Sequence, residues 1–416
     1  MVTRLDQWRE SSARRRRRAK RANYRLDIQG LRMVAVLAVL AYALAGWPRG
    51  GFVGVDIFFV VAGYLVTESL LRTTAESGTV RVGRFYLERV QRIVPAATFV
   101  LILTFAASAV VLASDVHSVG IDAVFAFFFV ANWHFAAGGE QLHSATDSAS
   151  PLLHYWPLSV EEQFFVLWPL LILGITVFAA RRAWGDATWR KLTAAVIGVL
   201  AALSLAWSIY ETTAAPGWAF FSTVSRMWEL GVGALLATAT GVFARLPSPV
   251  RPIMSWAGLT LIGISFVVID GSAGFPAPWA LLPVAGAALV IAAGIGDEPH
   301  LQGFLRNRVS TYIGDISYSL YLVHWPVYVL LAAAMERNVY YYASALTLTF
   351  GLALLTYHFV ETPLRYASPE AVRQARSDMR HGLFHVDVST KVGGVGGLIL
   401  ITVSIISFAM SPGAIT

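Results

Sequence analysis

The 416-residue sequence contains no cysteine, and only 14% of its residues are charged. The absence of cysteine excludes disulfide bonds, thiolate metal ligands and a cysteine nucleophile. A soluble domain carries roughly 25% charged residues, whereas 56% of this chain is hydrophobic and its mean hydropathy is +0.60. The composition therefore predicts an integral membrane protein whose apolar excess faces lipid.

No cleavable signal peptide is predicted from this sequence, because the first apolar run follows about 30 polar residues and a second run follows directly. No convincing internal repeat is visible, which disfavours a transporter built from inverted repeats. The net charge is +7, but the basic residues lie in short clusters between apolar runs, where they fix membrane topology. This pattern predicts the lipid bilayer, and not nucleic acid, as a partner of the chain.

Arginine clusters test how many of the apolar segments cross the membrane. If residues 120–136 cross fully, the later clusters fall outside; if they do not, every cluster falls inside, as the positive-inside rule requires. We therefore predict an all-α polytopic bundle of about eleven transmembrane helices plus a re-entrant or interfacial helix at 120–136, with a cytoplasmic N-terminus and an extracytoplasmic C-terminus. The apolar segments are 31–47, 52–72, 93–113, 120–136, 156–180, 191–211, 220–243, 254–270, 278–295, 312–335, 340–360 and 392–411.

The same reading divides the chain into four parts. Residues 1–25 form a basic cytoplasmic tail whose run of arginines suits anionic lipid. Residues 26–365 form the main transmembrane domain, and residues 366–391 form a polar cytoplasmic linker. Residues 392–416 form an additional C-terminal transmembrane helix, after which we expect no soluble domain.

Charged residues within membrane segments are costly and are therefore functional candidates. Asp56 lies in the second span, where it is either the partner of a neighbouring arginine or a catalytic carboxylate. The phrase GRFYLERVQRIVPA places Arg84, Arg89 and Arg92 at the start of the third span. These arginines either fix topology or bind the phosphates of an anionic cofactor, because Arg89 and Arg92 share a helix face.

Polar residues also mark the start of the fourth span, in the phrase SPLLHYWPLSVEEQFF. Ser159 is predicted to cap this helix, since its hydroxyl can accept a hydrogen bond from a backbone amide near Glu162. Capping does not explain two adjacent carboxylates, Glu161 and Glu162, close to His154. We therefore assign this group to an extracytoplasmic mouth.

Two later phrases contain further polar residues at membrane depth. FFSTVSRMWELGVGALLA places Arg226 and Glu229 one helical turn apart, which predicts a buried structural pair. ISYSLYLVHWP contains His324, which is either a packed, hydrogen-bonded residue or a base. We expect no metal site.

Eight phrases in series resemble the acyltransferase-3 family of bacterial membrane proteins, whose members O-acylate cell-envelope glycans and related acceptors. The resemblance runs from about Tyr24 to Arg365 in the family's order. It implies that an acyl-CoA, with acetyl-CoA the first choice, binds on the cytoplasmic side through Arg84, Arg89 and Arg92, while the acceptor lies outside. The phrases are YRLDIQGLR, GGFVGVDIFFVVAGYLVT, FYLERVQRIVPA, NWHFA, SPLLHYWPLSVEEQFFVLWPLL, FFSTVSRMWELGVGALLA, ISYSLYLVHWP and VETPLR.

One position departs from the family pattern in a way that bears on activity. The family has an arginine or lysine on the first span and a histidine eleven positions later; here Arg32 is present, but Ala43 occupies the histidine's position. Eleven residues place Ala43 roughly 16 Å along the helix from Arg32, near mid-membrane. Tyr42 is adjacent, but it is rotated about 100° around the helix. A smaller departure is Ala62, where the family usually has serine.

Alanine at position 43 can neither accept a proton nor carry an acyl group, so we expect impaired or absent activity. Two explanations fit this alanine. The chain is either a naturally degenerate homologue used for binding, or a variant in which the residue was changed deliberately to trap an inactive form.

The first functional hypothesis is an O-acyltransferase in a bacterial cytoplasmic membrane that moves an acyl group, with acetyl the first choice, from cytoplasmic acyl-CoA to an envelope glycan or glycolipid. The alternative is a non-catalytic carrier or scaffold for lipid or glycan. The missing histidine favours the alternative, whereas the retained arginines disfavour it. The catalytic candidates are position 43, Arg32, Asp56 and Glu162, and the acceptor-side candidates are His154, Ser159, Glu161 and His324.

Overall fold

The computed structural model describes residues 24–139, 149–271, 274–365 and 388–411, and within these ranges the chain is helical without strands. Short turns of helix join the longer ones at Gly51–Val53, Leu153–Tyr155, Pro216–Phe221, Thr240–Phe243, Gly303–Arg306 and Thr362–Arg365, and a π-helix covers Thr356–Glu361. The longer helices are α1 (Leu26–Ala45), α2 (Gly54–Ser77), α3 (Val82–Val111), α4 (Val116–Phe127), α5 (Ala131–Gly138), α6 (Trp156–Arg181), α7 (Asp186–Ala214), α8 (Thr223–Thr238), α9 (Val250–Val268), α10 (Leu281–Ala293), α11 (Arg308–Ala334), α12 (Val339–Leu355) and α13 (Val388–Ala409).

The predicted all-α polytopic membrane bundle is confirmed. In the described ranges, nine helices are long and apolar enough to cross a membrane: α1, α2, α3, α6, α7, α9, α11, α12 and α13. The segments predicted at 220–243 and 278–295 form shorter helices than expected, since α8 has 16 residues and α10 has 13. Helix α8 is short because Ser222, whose side chain accepts a hydrogen bond from the Ser225 amide, starts it anew after Pro216–Phe221.

The segment predicted as a re-entrant or interfacial helix at 120–136 is not one continuous helix. Helix α4 ends at Phe127, and α5 begins at Ala131 after a turn in which Phe129 has a positive φ of 54°. Gln163 of α6 holds this turn, because its amide nitrogen donates to the Phe129 carbonyl at 3.0 Å and to the Asn132 side chain at 2.9 Å. Neither α4 nor α5 has the roughly 20 residues that a crossing helix requires.

The centre of the bundle depends on close backbone approach between α2 and α8. A Cβ atom on Gly63 would overlap the Leu230 carbonyl oxygen, and one on Gly233 would overlap the Val60 carbonyl oxygen. Only glycine allows this separation, so the two helices pack through their backbones.

Gly63→Ala should therefore lower the free energy of unfolding by about 1–3 kcal/mol or more, because overpacking forces the helices apart. The measurement is the thermal unfolding midpoint of the purified protein in detergent. Gly174→Ala is the matched control, since Gly174 is exposed on α6 and a Cβ there would meet nothing within 4 Å. Equal midpoints for both variants would contradict the close packing.

The additional C-terminal helix, α13, packs against α12. Gly351 of α12 lies against Gly397 of α13, and the Ser404 hydroxyl donates to the Ser344 carbonyl at 3.1 Å. The basic tail and the linker predicted at 366–391 fall almost entirely outside the described residues. The proposed division of the chain therefore stays a prediction.

Candidate functional site

A cavity of about 580 Å³ lies between α1, α2, α3, α6 and α11. Ligand sites typically enclose about 300–1,000 Å³, lined mostly by apolar residues with a few polar groups. The apolar wall comes largely from α2, and most of the polar groups come from other parts of the chain. The polar and charged lining residues are Arg32, Ser69, Glu88, Arg89, Gln91, Arg92, Glu161, Ser317, Tyr318, Tyr321 and Arg365.

Four arginines from three parts of the chain converge on this cavity: Arg32, Arg89, Arg92 and Arg365. Arg32 donates to the Gln29 side chain at 3.1 Å. Arg92 makes no hydrogen bond and no ion pair with any residue that the structure describes. Like charges held together in a half-buried cavity repel one another, so this cluster is suited to an anionic ligand.

Arg89 is held in place by two contacts from α6. Its Nη2 donates to Glu162 Oε1 at 3.2 Å, and its guanidinium carbon lies 3.3 Å from the centre of the Phe165 ring. Its Nε atom is buried without a partner. The side chain is thus fixed in direction and retains donor capacity.

The structure differs from the sequence prediction in where it puts the two glutamates. Glu161 lines the same cavity as Arg89 and Arg92, and Glu162 pairs with Arg89, whereas the sequence pattern assigned both carboxylates to an opposite, acceptor-side mouth. The reason is that α6 starts at Trp156, so both residues lie more than one turn inside the helix. Glu161 and Glu162 are therefore neighbours of the arginine cluster.

The predicted capping role of Ser159 is wrong. Because Ser159 already lies within the first turn of α6, its buried hydroxyl donates to the Tyr155 carbonyl at 3.0 Å instead of accepting from a backbone amide. Ser159 is not among the residues that line the main cavity.

Arg84 is separated from the other arginines of the same phrase. It is exposed on α3 and forms an ion pair with Glu88, four residues later, at 2.7 Å. It does not line the cavity. The geometry brings Arg89 and Arg92 to the cavity and leaves Arg84, in the first turn of α3, on the surface.

Asp56 is buried in an ion cluster behind the cavity wall. The Nη1 atom of Arg226 lies 2.8 Å from Asp56 Oδ1 and 2.7 Å from Glu229 Oε1, and all three side chains are at most 1% exposed. The predicted pair of Arg226 with Glu229 is confirmed, and Asp56 is an arginine's partner. Asp56 does not line the cavity itself. Rings that surround the Arg226 guanidinium at 4.9–5.9 Å belong to Phe59, Trp156, Phe220 and Phe275.

A second, smaller cavity of about 40 Å³ lies beside Ala43. Its lining also includes Tyr42, so both adjacent residues of α1 face this space despite their angular separation. The other residues with polar side-chain atoms in the lining are His154, Trp156, Tyr321, His324 and Trp325. A water molecule needs about 10–15 Å³ of such volume, so the space has room for a few waters.

The two histidines beside Ala43 have fixed hydrogen bonds. His154 Nε2 lies 2.9 Å from the Leu322 carbonyl oxygen, and His324 Nδ1 lies 2.6 Å from the Tyr321 carbonyl oxygen. A carbonyl oxygen only accepts, so each of these nitrogens is protonated. His154 Nδ1 is buried and has no hydrogen-bond partner among the residues that the structure describes.

The two cavities adjoin each other. Val55 of α2 and Tyr321 of α11 line both of them. The Tyr321 hydroxyl donates to the His154 carbonyl at 2.8 Å. A continuous series of lining residues therefore leads from the arginine cluster to Ala43.

Several residues at or near the site were not singled out from the sequence. Arg365 lies in the phrase VETPLR and was interpreted only as a topology signal, although it lines the cavity. Asn132 of the phrase NWHFA donates to the Phe221 carbonyl and to the Thr223 hydroxyl. For Asn132, the available signal was a polar residue next to an apolar run.

Titratable residues do not form a metal site in the described ranges: no three His, Asp or Glu side chains there converge as ligands. Outside the spans, Tyr24 donates to Asp315 at 2.7 Å. Burial and this hydrogen bond raise the pKa of Tyr24, so the phenol remains a donor.

The bundle and its arginine-rich cavity define a polytopic helical membrane protein with an internal cavity. A family model described as an acyltransferase domain matches residues 25–358. The chain therefore belongs to the acyltransferase-3 family, and the resemblance inferred from its motifs is confirmed.

Curated relatives show the same affiliation. The peptidoglycan O-acetyltransferase OatA of Listeria monocytogenes is 30% identical over 354 residues, which are 82% of this chain and 55% of that protein. YrhL of Bacillus subtilis, whose name as a peptidoglycan O-acetyltransferase is provisional, is 30% identical over 353 residues, 81% of this chain and 54% of that protein. The chain thus spans about half the length of these relatives. No solved structure matches it.

Proposed function

We propose that the protein is a membrane O-acyltransferase that moves an acyl group, with acetyl the first choice, from a cytoplasmic acyl-CoA to a cell-envelope glycan or glycolipid. Membership of the acyltransferase family supports the reaction class. The names of the relatives support acetyl transfer to peptidoglycan as the nearest example of the acceptor class. Activity in this chain is low, because Ala43 provides no base.

The observation that carries the proposal is the arrangement of the two adjoining cavities. Four guanidinium groups line one of them, and Ala43 lines the other. Arginine binds phosphate oxygens through paired N–H donors, so the cluster suits the phosphates of coenzyme A. The apolar wall formed by α2 suits the pantetheine arm, which would carry the thioester toward Ala43.

Catalysis in this proposal depends on positioning as well as on proton transfer. Arg89, fixed by Glu162 and Phe165, would orient the donor phosphates, and Arg92 would supply the unpaired charge. Glu161, the carboxylate beside them, would balance the cluster when no donor is bound. Holding the donor in this way lowers the entropic part of the activation barrier, because the two reactants are already positioned when the reaction begins.

The proposed location is a bacterial cytoplasmic membrane, with the N-terminus in the cytoplasm and the C-terminus outside. The distribution of arginines between apolar segments supports this orientation. The acyl-CoA would then reach the arginine cluster from the cytoplasm, and His154 and His324 would lie toward the acceptor.

Arg92→Ala should weaken acetyl-CoA binding by about 10- to 100-fold, since a hydrogen bond to a charged group contributes about 1.5–3 kcal/mol. Arg92 is the best choice because, among the described residues, it has no hydrogen-bond partner that the substitution would leave unpaired. The measurement is calorimetric titration of the detergent-purified protein with acetyl-CoA.

Arg84→Ala is the matched control for this titration, because Arg84 belongs to the same helix but pairs with Glu88 on the surface. Its affinity should equal that of the unmodified chain. If neither the unmodified chain nor any variant binds acetyl-CoA, the proposed donor is wrong. In that case, the arginines support the alternative function, a non-catalytic lipid or glycan carrier or scaffold.

A further inference from the structure

We infer that His154 is the proton acceptor for acyl transfer in this chain, where position 43 provides none. This inference rests on the proposed acyltransferase function and names the group that performs one of its steps. It is carried by the geometry of the Ala43 cavity, which leaves one buried ring nitrogen without a partner.

The hydrogen bond on the far side of the His154 ring fixes its tautomer. Because the Leu322 carbonyl accepts from Nε2 at 2.9 Å, the neutral ring carries its proton on Nε2. The lone pair is therefore on Nδ1, which is buried and unpartnered, in a residue only 5% exposed. A buried polar atom without a partner is unusual and is costly unless a ligand satisfies it.

The ring lies where an acceptor hydroxyl and a thioester can meet. His154 lines the cavity beside Ala43, and this cavity shares Val55 and Tyr321 with the arginine-lined one. The volume of about 40 Å³ is enough for a hydroxyl group and the carbon that bears it. A hydroxyl that enters this space can donate its proton to Nδ1.

The step balances without any further reactant. The acceptor oxygen forms a bond to the acyl carbonyl carbon while its proton moves to His154 Nδ1, and the bond from that carbon to the coenzyme A sulfur breaks. The resulting imidazolium keeps its Nε2–H on the Leu322 carbonyl and returns the Nδ1 proton to the departing thiolate. The products are an O-acyl ester and free coenzyme A thiol.

His324 is the natural comparison, because it lines the same cavity and its ring centre lies 5.6 Å from that of His154. Its Nδ1 donates to the Tyr321 carbonyl, which leaves only Nε2 as an acceptor. His154 Nδ1 is among the buried polar atoms that lack a partner in the described residues, whereas His324 Nε2 is not. His154 therefore has the stronger geometric claim.

The experiment measures thiol release from acetyl-CoA by the full chain in proteoliposomes, with soluble peptidoglycan fragments as acceptor. The chain has no cysteine, so a thiol reagent reports coenzyme A alone. His154→Gln should lower the rate about 10²–10⁴-fold, because the glutamine amide can still donate to the Leu322 carbonyl but has no basic nitrogen. His324→Asn, which keeps a donor for the Tyr321 carbonyl, should lower the rate far less.

Two further measurements show whether His154 acts as a proton acceptor or only as a packed core residue. His154→Ala should regain activity when imidazole is added, because imidazole fits the enlarged cavity, and a purely structural role gives no such rescue. The rate of the unmodified chain should also fall at low pH as His154 becomes protonated, and the His154→Gln variant should lose this dependence.

The outcomes distinguish the inference from the function on which it rests. If His154→Gln keeps the full rate, His154 is not the proton acceptor and the acyltransferase proposal stands. If acetyl-CoA binds but the unmodified chain releases no thiol, His154 is not the proton acceptor and only the assignment of the donor stands. If acetyl-CoA does not bind, the proposed function itself fails. Loss of activity in His154→Gln with normal acetyl-CoA affinity and rescue of His154→Ala supports the inference.

Discussion

Replacing Ala43 with histidine should raise the rate of acyl transfer by about 10²–10⁴-fold, the usual contribution of a positioned general base. The cavity beside Ala43 has room for part of a ring, and α1 holds this position between the arginine cluster and His154. The unpartnered Nδ1 of His154 can accept a hydrogen bond from the new ring and fix its tautomer. A second base then acts directly at the point where the two cavities adjoin.

The measurement is transfer of radiolabelled acetyl groups from acetyl-CoA to envelope glycan or lipid by membranes that contain each variant. Ala41→His is the matched control, because Ala41 lies on the same helix but lines neither cavity. It should leave the rate unchanged. Equal rates for Ala43→His and the unmodified chain, with both proteins folded and binding acetyl-CoA, would show that position 43 has no part in the chemistry.

Arg226→Met should destabilise the protein by about 3–5 kcal/mol, since removal of one partner leaves buried charge uncompensated. Asp56 and Glu229 would then lie together without the cation between them, and neither is exposed to water. Methionine fills much of the space and still packs against the surrounding rings, so the loss reports charge. The expected result is a large fall in the thermal unfolding midpoint and in the yield of folded protein.

Neutralising both carboxylates tests the electrostatic origin of this effect. The triple variant Arg226→Met, Asp56→Asn, Glu229→Gln should recover part of the lost stability, because it contains no unpaired buried charge. A triple variant as unstable as Arg226→Met alone would mean that packing within the aromatic ring cluster, and not charge, determines the stability.

Composition and periodicity were sufficient to predict the class of fold. A lipid-facing bundle needs long apolar runs, and each long run became a helix near its predicted position, although α3 begins at Val82, eleven residues before the predicted start. The short segments were harder. Helix α8 and helix α10 are buried by neighbours rather than by lipid, so their lengths depend on packing partners that are distant in the sequence.

The candidate site could be predicted in part. Arg89 and Arg92 share the face that reaches the cavity, as their spacing required, and Arg226 pairs with Glu229 one turn away. The position of Glu162 beside Arg89 could not be predicted, because it depends on how far α6 runs alongside α3. Helix spacing gives relations within one element only.

Contacts between residues that are distant in the sequence could not be predicted either. Arg365 lines the cavity four residues after the end of the π-helix. His154 forms hydrogen bonds with Leu322 and Tyr321, which are distant in the sequence. A short segment of sequence does not determine which carbonyl oxygen a histidine nitrogen contacts on another helix. That information comes from the register between helices.

Three consecutive residues of α6 contact three different parts of the protein. Glu161 lines the main cavity, Glu162 holds Arg89, and Gln163 holds the turn between α4 and α5. A small rotation of α6 about its own axis would displace all three at once. A ligand that rotates α6 on entering the main cavity would thus also displace Arg89 and the turn between α4 and α5.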